Sequence, residues 1–167
     1  SQKNTKRDVV LLLGNDNSND GTQSIINNFS SNKNIISVNV NFGKTSEVRN
    51  FLNNYARENV ANCALIGRLD SDDVLCDEFT ISKIETLYEK YNFDVLICGN
   101  QQSKDGKILE WKNHPSIQLL DDKYLLNRLR EMAKDNPKAE LPSCNTFIKP
   151  FIRIDYPEMQ SAEDHWL

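Results

Sequence analysis

Five apolar residues in succession, Val9-Val10-Leu11-Leu12-Leu13, end at Gly14 and a cluster of Asn, Asp and Ser. The run predicts a strand over Asp8 to Leu13 that is buried on both faces. From Thr22 the apolar positions Ile25, Ile26 and Phe29 recur at helical spacing, with Asp20 or Thr22 available as a cap. Asn34 to Val40 alternates as a second strand, and Val48, Phe51, Leu52, Tyr55 and Ala56 mark one face of a second helix. Ala64 to Leu69 predicts a third strand, Phe79, Ile84, Leu87, Tyr88 and Tyr91 a third helix face, and Asp94 to Cys98 a fourth strand. This alternation predicts an α/β domain whose sheet is mostly parallel and flanked by helices. Beyond Gly99 the pattern weakens: Lys107 to Trp111 and Ser143 to Ile148 read as strands, and Asp121 to Ala133 as a helix. No repeat or linker divides the chain, which reads as a single domain over residues 1–167.

Length and charge narrow the function. A chain of 167 residues with 38% hydrophobic content carries one continuous core. Its net charge of -4 lacks the basic footprint of a protein that grips nucleic-acid backbone, so no nucleic-acid partner is expected. No apolar run approaches the roughly 20 residues that span a bilayer, and Ser1 to Asp8 is polar, unlike a signal peptide. The expectation is a soluble piece in the cytoplasm, with any membrane association at the inner face made through parts outside this chain. Cys63, Cys76, Cys98 and Cys144 are widely spaced beside apolar stretches and read as buried free thiols. The sequon at Asn28-Phe29-Ser30 is too short a pattern to weigh.

In open parallel sheets, ligands bind beyond the carboxyl ends of the strands, where strand-to-helix loops converge. That rule selects Gly14 to Thr22, Asn41 to Thr45 and Asp70 to Asp73. The carboxylates of Asp70-Ser71-Asp72-Asp73 repel one another, and a divalent cation shared with a diphosphate is one way to stabilise them. An acidic turn in which Ser71 or Asp73 caps the next helix is the other. Asp16-x-Ser18-x-Asp20-Gly21 also mimics the start of a calcium loop, but position twelve is Asn27 rather than a bidentate Glu. A phosphatase-type aspartate at Asp70 finds no supporting signal elsewhere in the chain.

Together these loops resemble the family 2 glycosyltransferases of GT-A fold. Asn15-Asp16-Asn17-Ser18-Asn19-Asp20-Gly21-Thr22 is similar to that family's Asp-Asp-Gly-Ser-Thr-Asp-Gly-Thr. Asn41-x-Gly43 with Arg49-Asn50 is similar to its Asn-x-Gly and Arg-Asn, and Leu69-Asp70-Ser71-Asp72-Asp73 to its Leu-Asp-x-Asp-Asp. Glu163-Asp164 resembles its Glu-Asp pair, and all four motifs occur in family order between about Val9 and Leu167. The resemblance implies that Asp16 contacts the uracil or ribose of the donor, that Asp70 lies near the ribose, and that Asp72 binds Mn²⁺ or Mg²⁺. It implies further that Arg49 lies near the donor and holds the acidic loops, that Glu163 contacts substrate, and that Asp164 is the general base on the acceptor hydroxyl. Ser18 and Asp20 are read as shaping the loop and capping the helix. His165 and Trp166 could line the acceptor side, while Trp111 and His114 are read as structural. On this reading residues 8–99 are the nucleotide-binding half and 100–167 the acceptor-side half.

Two departures from the family pattern stand out. Asn15 and Asn17 replace an acid and a glycine; Asn tolerates left-handed backbone and still hydrogen-bonds a base. The family's first strand has no counterpart in the polar Ser1 to Arg7, so the chain reads as a fragment lacking its first strand and helix. The activity implied is transfer of a hexosyl or N-acetylhexosaminyl group, with inversion. The donor would be a nucleoside diphosphate sugar, a UDP-sugar first among them, and the acceptor a hydroxyl of a glycan or glycolipid, as in polysaccharide biosynthesis. The alternative is a non-catalytic module that keeps the fold and binds a nucleotide or a partner.

Overall fold

The computed structural model describes residues 2–99, 101–104, 107–111, 121–132, 146–153 and 155–156. Strand β1 (Leu11–Asp16) pairs in parallel with β2 (Ile35–Val40), Leu11 opposite Ile35 and Asp16 opposite Val40. Between them lies the short helix α1 (Thr22–Asn27). Helix α2 (Thr45–Asn59) follows β2 and packs on β1. Gly14 makes that packing close: a methyl group there would lie 3.0 Å from Leu52 Cδ1 and 3.3 Å from Val48 Cγ1. Gly14, read from the sequence as the end of the first strand, is therefore inside it, and β1 runs on through Asn15 and Asp16 instead of stopping at Leu13.

A second sheet joins β3 (Ile66–Gly67), β7 (Thr146–Ile148) and β4 (Val95–Ile97), with β7 in the middle and antiparallel to both neighbours. The consecutive strands β3 and β4, joined through helix α3 (Thr80–Tyr91), thus point the same way without touching. Gly67 stands opposite Phe147, whose ring lies where a side chain at position 67 would begin. The remaining described elements are the hairpin of β5 (Gln101–Lys104) and β6 (Lys107–Trp111) and helix α4 (Asp122–Met132). Asp121 caps α4 by accepting the Tyr124 N–H at 2.9 Å.

Among the described residues the fully buried apolar side chains are Ala56, Ile84, Ile148 and Tyr156, which places the core between α2, α3 and β7. The expectation of a first strand buried on both faces is not met, since Val9 and Leu11 are 37% and 45% exposed. Ile25 on α1 and Phe29 just after it are exposed as well, so neither is buried against the sheet. Cys76, expected to be buried, is exposed, whereas Cys63 and Cys98 are half-buried; all three are free thiols. Burial is the main cause that raises the thiols of Cys63 and Cys98, the latter to about 11. Cys144 lies outside the described residues.

The polar start of the chain forms no strand and is instead bound along α3. Glu85, buried on that helix, accepts the N–H groups of Lys6 and Arg7 at 2.9 Å each. Lys3 pairs with Glu78 at 2.8 Å and Lys6 with Glu89 at 2.6 Å. Gln2 accepts the Ile81 N–H and donates to the Asp77 carbonyl, both at 2.9 Å.

Candidate functional site

The carboxyl ends of β1, β2 and β3 lead into the loops that the strand rule selects. Asp16, the last residue of β1, accepts the N–H groups of Phe42 at 2.7 Å and Gly43 at 2.9 Å, one on each carboxylate oxygen. The loop after β2 offers two adjacent donors because Gly43 takes a positive φ of 66°. Asp16 therefore joins two of the predicted loops directly. Each carboxylate oxygen has a second lone pair, so this bracing leaves acceptor capacity for a ligand.

The loop between β1 and α1 is shaped by its own side chains. Asn15 is buried; its Oδ1 accepts the Ser18 N–H at 3.2 Å, and its Nδ2 donates to Gln23 Oε1 at 2.7 Å. Asn17 adopts a left-handed φ of 51°, a conformation Asn tolerates where glycine would be the default. Asp20 accepts both the Thr22 hydroxyl, at 2.6 Å, and the Thr22 N–H, at 3.1 Å, which holds the first residue of α1. These bonds, the hydroxyl's first, keep its carboxyl below the usual range.

The third loop is anchored by arginines. Arg68 Nη2 donates to Asp70 Oδ2 at 3.2 Å while its buried Nε lies 3.2 Å from Oδ1 without hydrogen-bond geometry, and Arg49 Nη2 reaches the same Oδ2 at 3.5 Å. Both guanidinium side chains are largely buried. Their carbons lie 5.4 Å from the centre of the Tyr156 ring. Asn50, next to Arg49 on α2, pairs with the backbone of Tyr156 in both directions: its Nδ2 donates to the carbonyl at 2.9 Å and its Oδ1 accepts the N–H at 2.7 Å. One turn of α2 thus connects the acidic turn after β3 to the segment after β7.

Of the residues predicted from the motifs, Asp16, Arg49 and Asp70 are engaged in holding the three loops. Asp72 and Asp73 are exposed on the turn that the Asp73 N–H closes onto the Asp70 carbonyl at 3.0 Å. Glu163 and Asp164, with His114, His165 and Trp166, lie outside the described residues. Among the described residues no group of three or more His, Cys, Asp or Glu side chains forms a ready-made metal cage. The donor set nonetheless fits a hard cation held jointly with substrate. Asp70 is neutralised by arginine, and exposed Asp72 offers hard oxygen to Mg²⁺ or Mn²⁺, of which Mg²⁺ usually completes its shell with phosphate oxygens and water.

Two members of the cluster escape the motif reading. Arg68 interrupts an apolar run two residues before Asp70, and in extended backbone such positions share a face, which is a usable signal. Tyr156 lies in no motif, and its place is visible only once α2 and β7 are docked. Residues 1–153 match the family described as glycosyl transferase family 2. No curated protein and no solved structure matches the chain.

Proposed function

Because the chain belongs to glycosyl transferase family 2, whose fold is GT-A, we propose that its loop cluster takes a nucleoside diphosphate sugar, with a UDP-sugar as the favoured donor. The observation that supports this most directly is the convergence of the three loops. Asp16 braces the second loop through the Phe42 and Gly43 N–H groups, and α2 supplies Arg49 to the third. A site built this way is set before substrate arrives, so little reorganisation is needed on binding.

In the proposed reaction Asp16 presents its remaining lone pairs to the base or ribose, and Asp70, fixed by two guanidiniums, faces the ribose. Asp72 would hold Mn²⁺ or Mg²⁺, which when bound stabilises charge on the departing diphosphate. Glu163 contacts substrate, and Asp164 removes the proton from the acceptor hydroxyl of a glycan or glycolipid as the sugar transfers with inversion. A hexosyl or N-acetylhexosaminyl group, a role in polysaccharide biosynthesis, and a cytoplasmic location, with any membrane association at the inner face, complete the proposal.

Calorimetric titration of UDP and GDP, with and without Mn²⁺, tests the donor site. The expected result is Mn²⁺-dependent UDP binding that weakens at least about tenfold in Asp72→Ala, a loss of about 1.4 kcal/mol. UDP binding that is indifferent to both the metal and Asp72 would remove the metal assignment. Nucleotide binding without sugar transfer by an enzyme that retains Asp164 would favour the non-catalytic module.

A further inference from the structure

Tyr156 is 7% exposed although it carries a hydroxyl, and it sits where two cations and one anion meet. The Arg49 and Arg68 guanidinium carbons are each 5.4 Å from its ring centre, within the range in which a cation is attracted to an aromatic face. Both arginines also bind Asp70. The electron-rich ring face adds its own attraction for both guanidiniums beside that of the carboxylate.

The ring is brought there by a specific path. After β7 the chain is held to the far part of α2 by Arg57, whose Nε donates to the Pro150 carbonyl at 3.0 Å and whose Nη2 donates to the Ile152 carbonyl at 2.8 Å. Tyr156 is held at Asn50, seven positions earlier on the helix, or about 10 Å at the helical rise. Asn50 grips the Tyr156 backbone from both sides, so the ring position is dictated by α2 rather than by the hydroxyl.

We propose that Tyr156 is a positioning residue of the donor site, resting on the function proposed above. Its ring holds the Arg49 and Arg68 guanidiniums against Asp70 and so fixes the acidic turn that ends in Asp72 and Asp73. The ring face acts, and the hydroxyl is dispensable.

The test keeps the shape of the ring and changes its electrons. Tyr156 is replaced by phenylalanine and then, by site-specific incorporation, by mono-, di- and trifluorophenylalanine, which progressively weaken the attraction of the ring for a cation. The Kd for UDP is measured with Mn²⁺ on each folded variant, together with Tyr156→Leu. Tyr156→Phe is expected to bind within about twofold of the native chain, with stepwise weakening along the fluorinated series to about tenfold for the trifluoro ring. Tyr156→Leu should bind at least as weakly as the trifluoro variant. A native chain that binds UDP and a flat fluorinated series would overturn the positioning role alone. A native chain that binds no nucleoside diphosphate would overturn the donor site and this role with it.

Discussion

At position 67 a side chain is excluded by the ring of Phe147 on the neighbouring strand. Gly67→Ala should therefore destabilise the domain by about 1–3 kcal/mol in urea unfolding, the range for overpacking a core. Gly14→Ala should cost less, because the added methyl meets Leu52 and Val48 no closer than 3.0 Å, whereas at position 67 it would run into the Phe147 ring. The thiols make a second prediction at this scale. Exposed Cys76 should react with iodoacetamide at pH 8 well before Cys98, whose burial raises its thiol to about 11; mass mapping of the labelled sites checks the order. A raised folded value means that Cys98 contributes stability fully below its ordinary value of 9.0 and loses it as pH climbs toward about 11.

At the scale of elements, α2 does more than cover β1. Its successive residues Arg49 and Asn50, and Arg57 two turns on, hold the acidic turn and the backbone of Pro150, Ile152 and Tyr156. Asn50→Ala would leave the N–H and carbonyl of buried Tyr156 without these partners. A loss of about 1–3 kcal/mol in unfolding free energy is expected, with weaker UDP binding alongside. The apolar spacing made α2, α3 and β2 legible, because an amphipathic face or an alternating strand is written locally. The three loops were legible for a related reason, since their short polar motifs close on themselves, as Asp20 does on Thr22. The place of β7 between β3 and β4 was not legible. Three residues, Thr146 to Ile148, are too few to show a period, and their partners lie far away in the sequence. Arg68 and Tyr156 escaped for the same reason: what they do depends on which elements meet.

Over the whole molecule, charge holds the beginning of the chain to α3. The Glu89 carboxyl is kept below its ordinary value by the hydrogen bond from Lys6, and that of Asp77 by the one from Lys83. Depressed carboxyls stabilise the fold above their unfolded values and lose that contribution as pH falls through the folded ones. The thermal midpoint should therefore be level between about pH 7 and 5 and should drop below the ordinary value of 4.5 for Glu89, as circular dichroism can follow. Lys6→Ala should shrink that acid step, because the first cause of the Glu89 shift is then gone.

The middle strand of the second sheet also sets a timetable. Gly67 and Leu96 share a partner, Phe147, made 80 and 51 residues after them. On a ribosome adding about 5–20 residues per second, β3 and β4 wait several seconds with open edges before the strand between them emerges. Such edges invite pairing with other chains. The gap between these two strands is therefore a place where a nascent chain is open to mispairing until Thr146 to Ile148 are made.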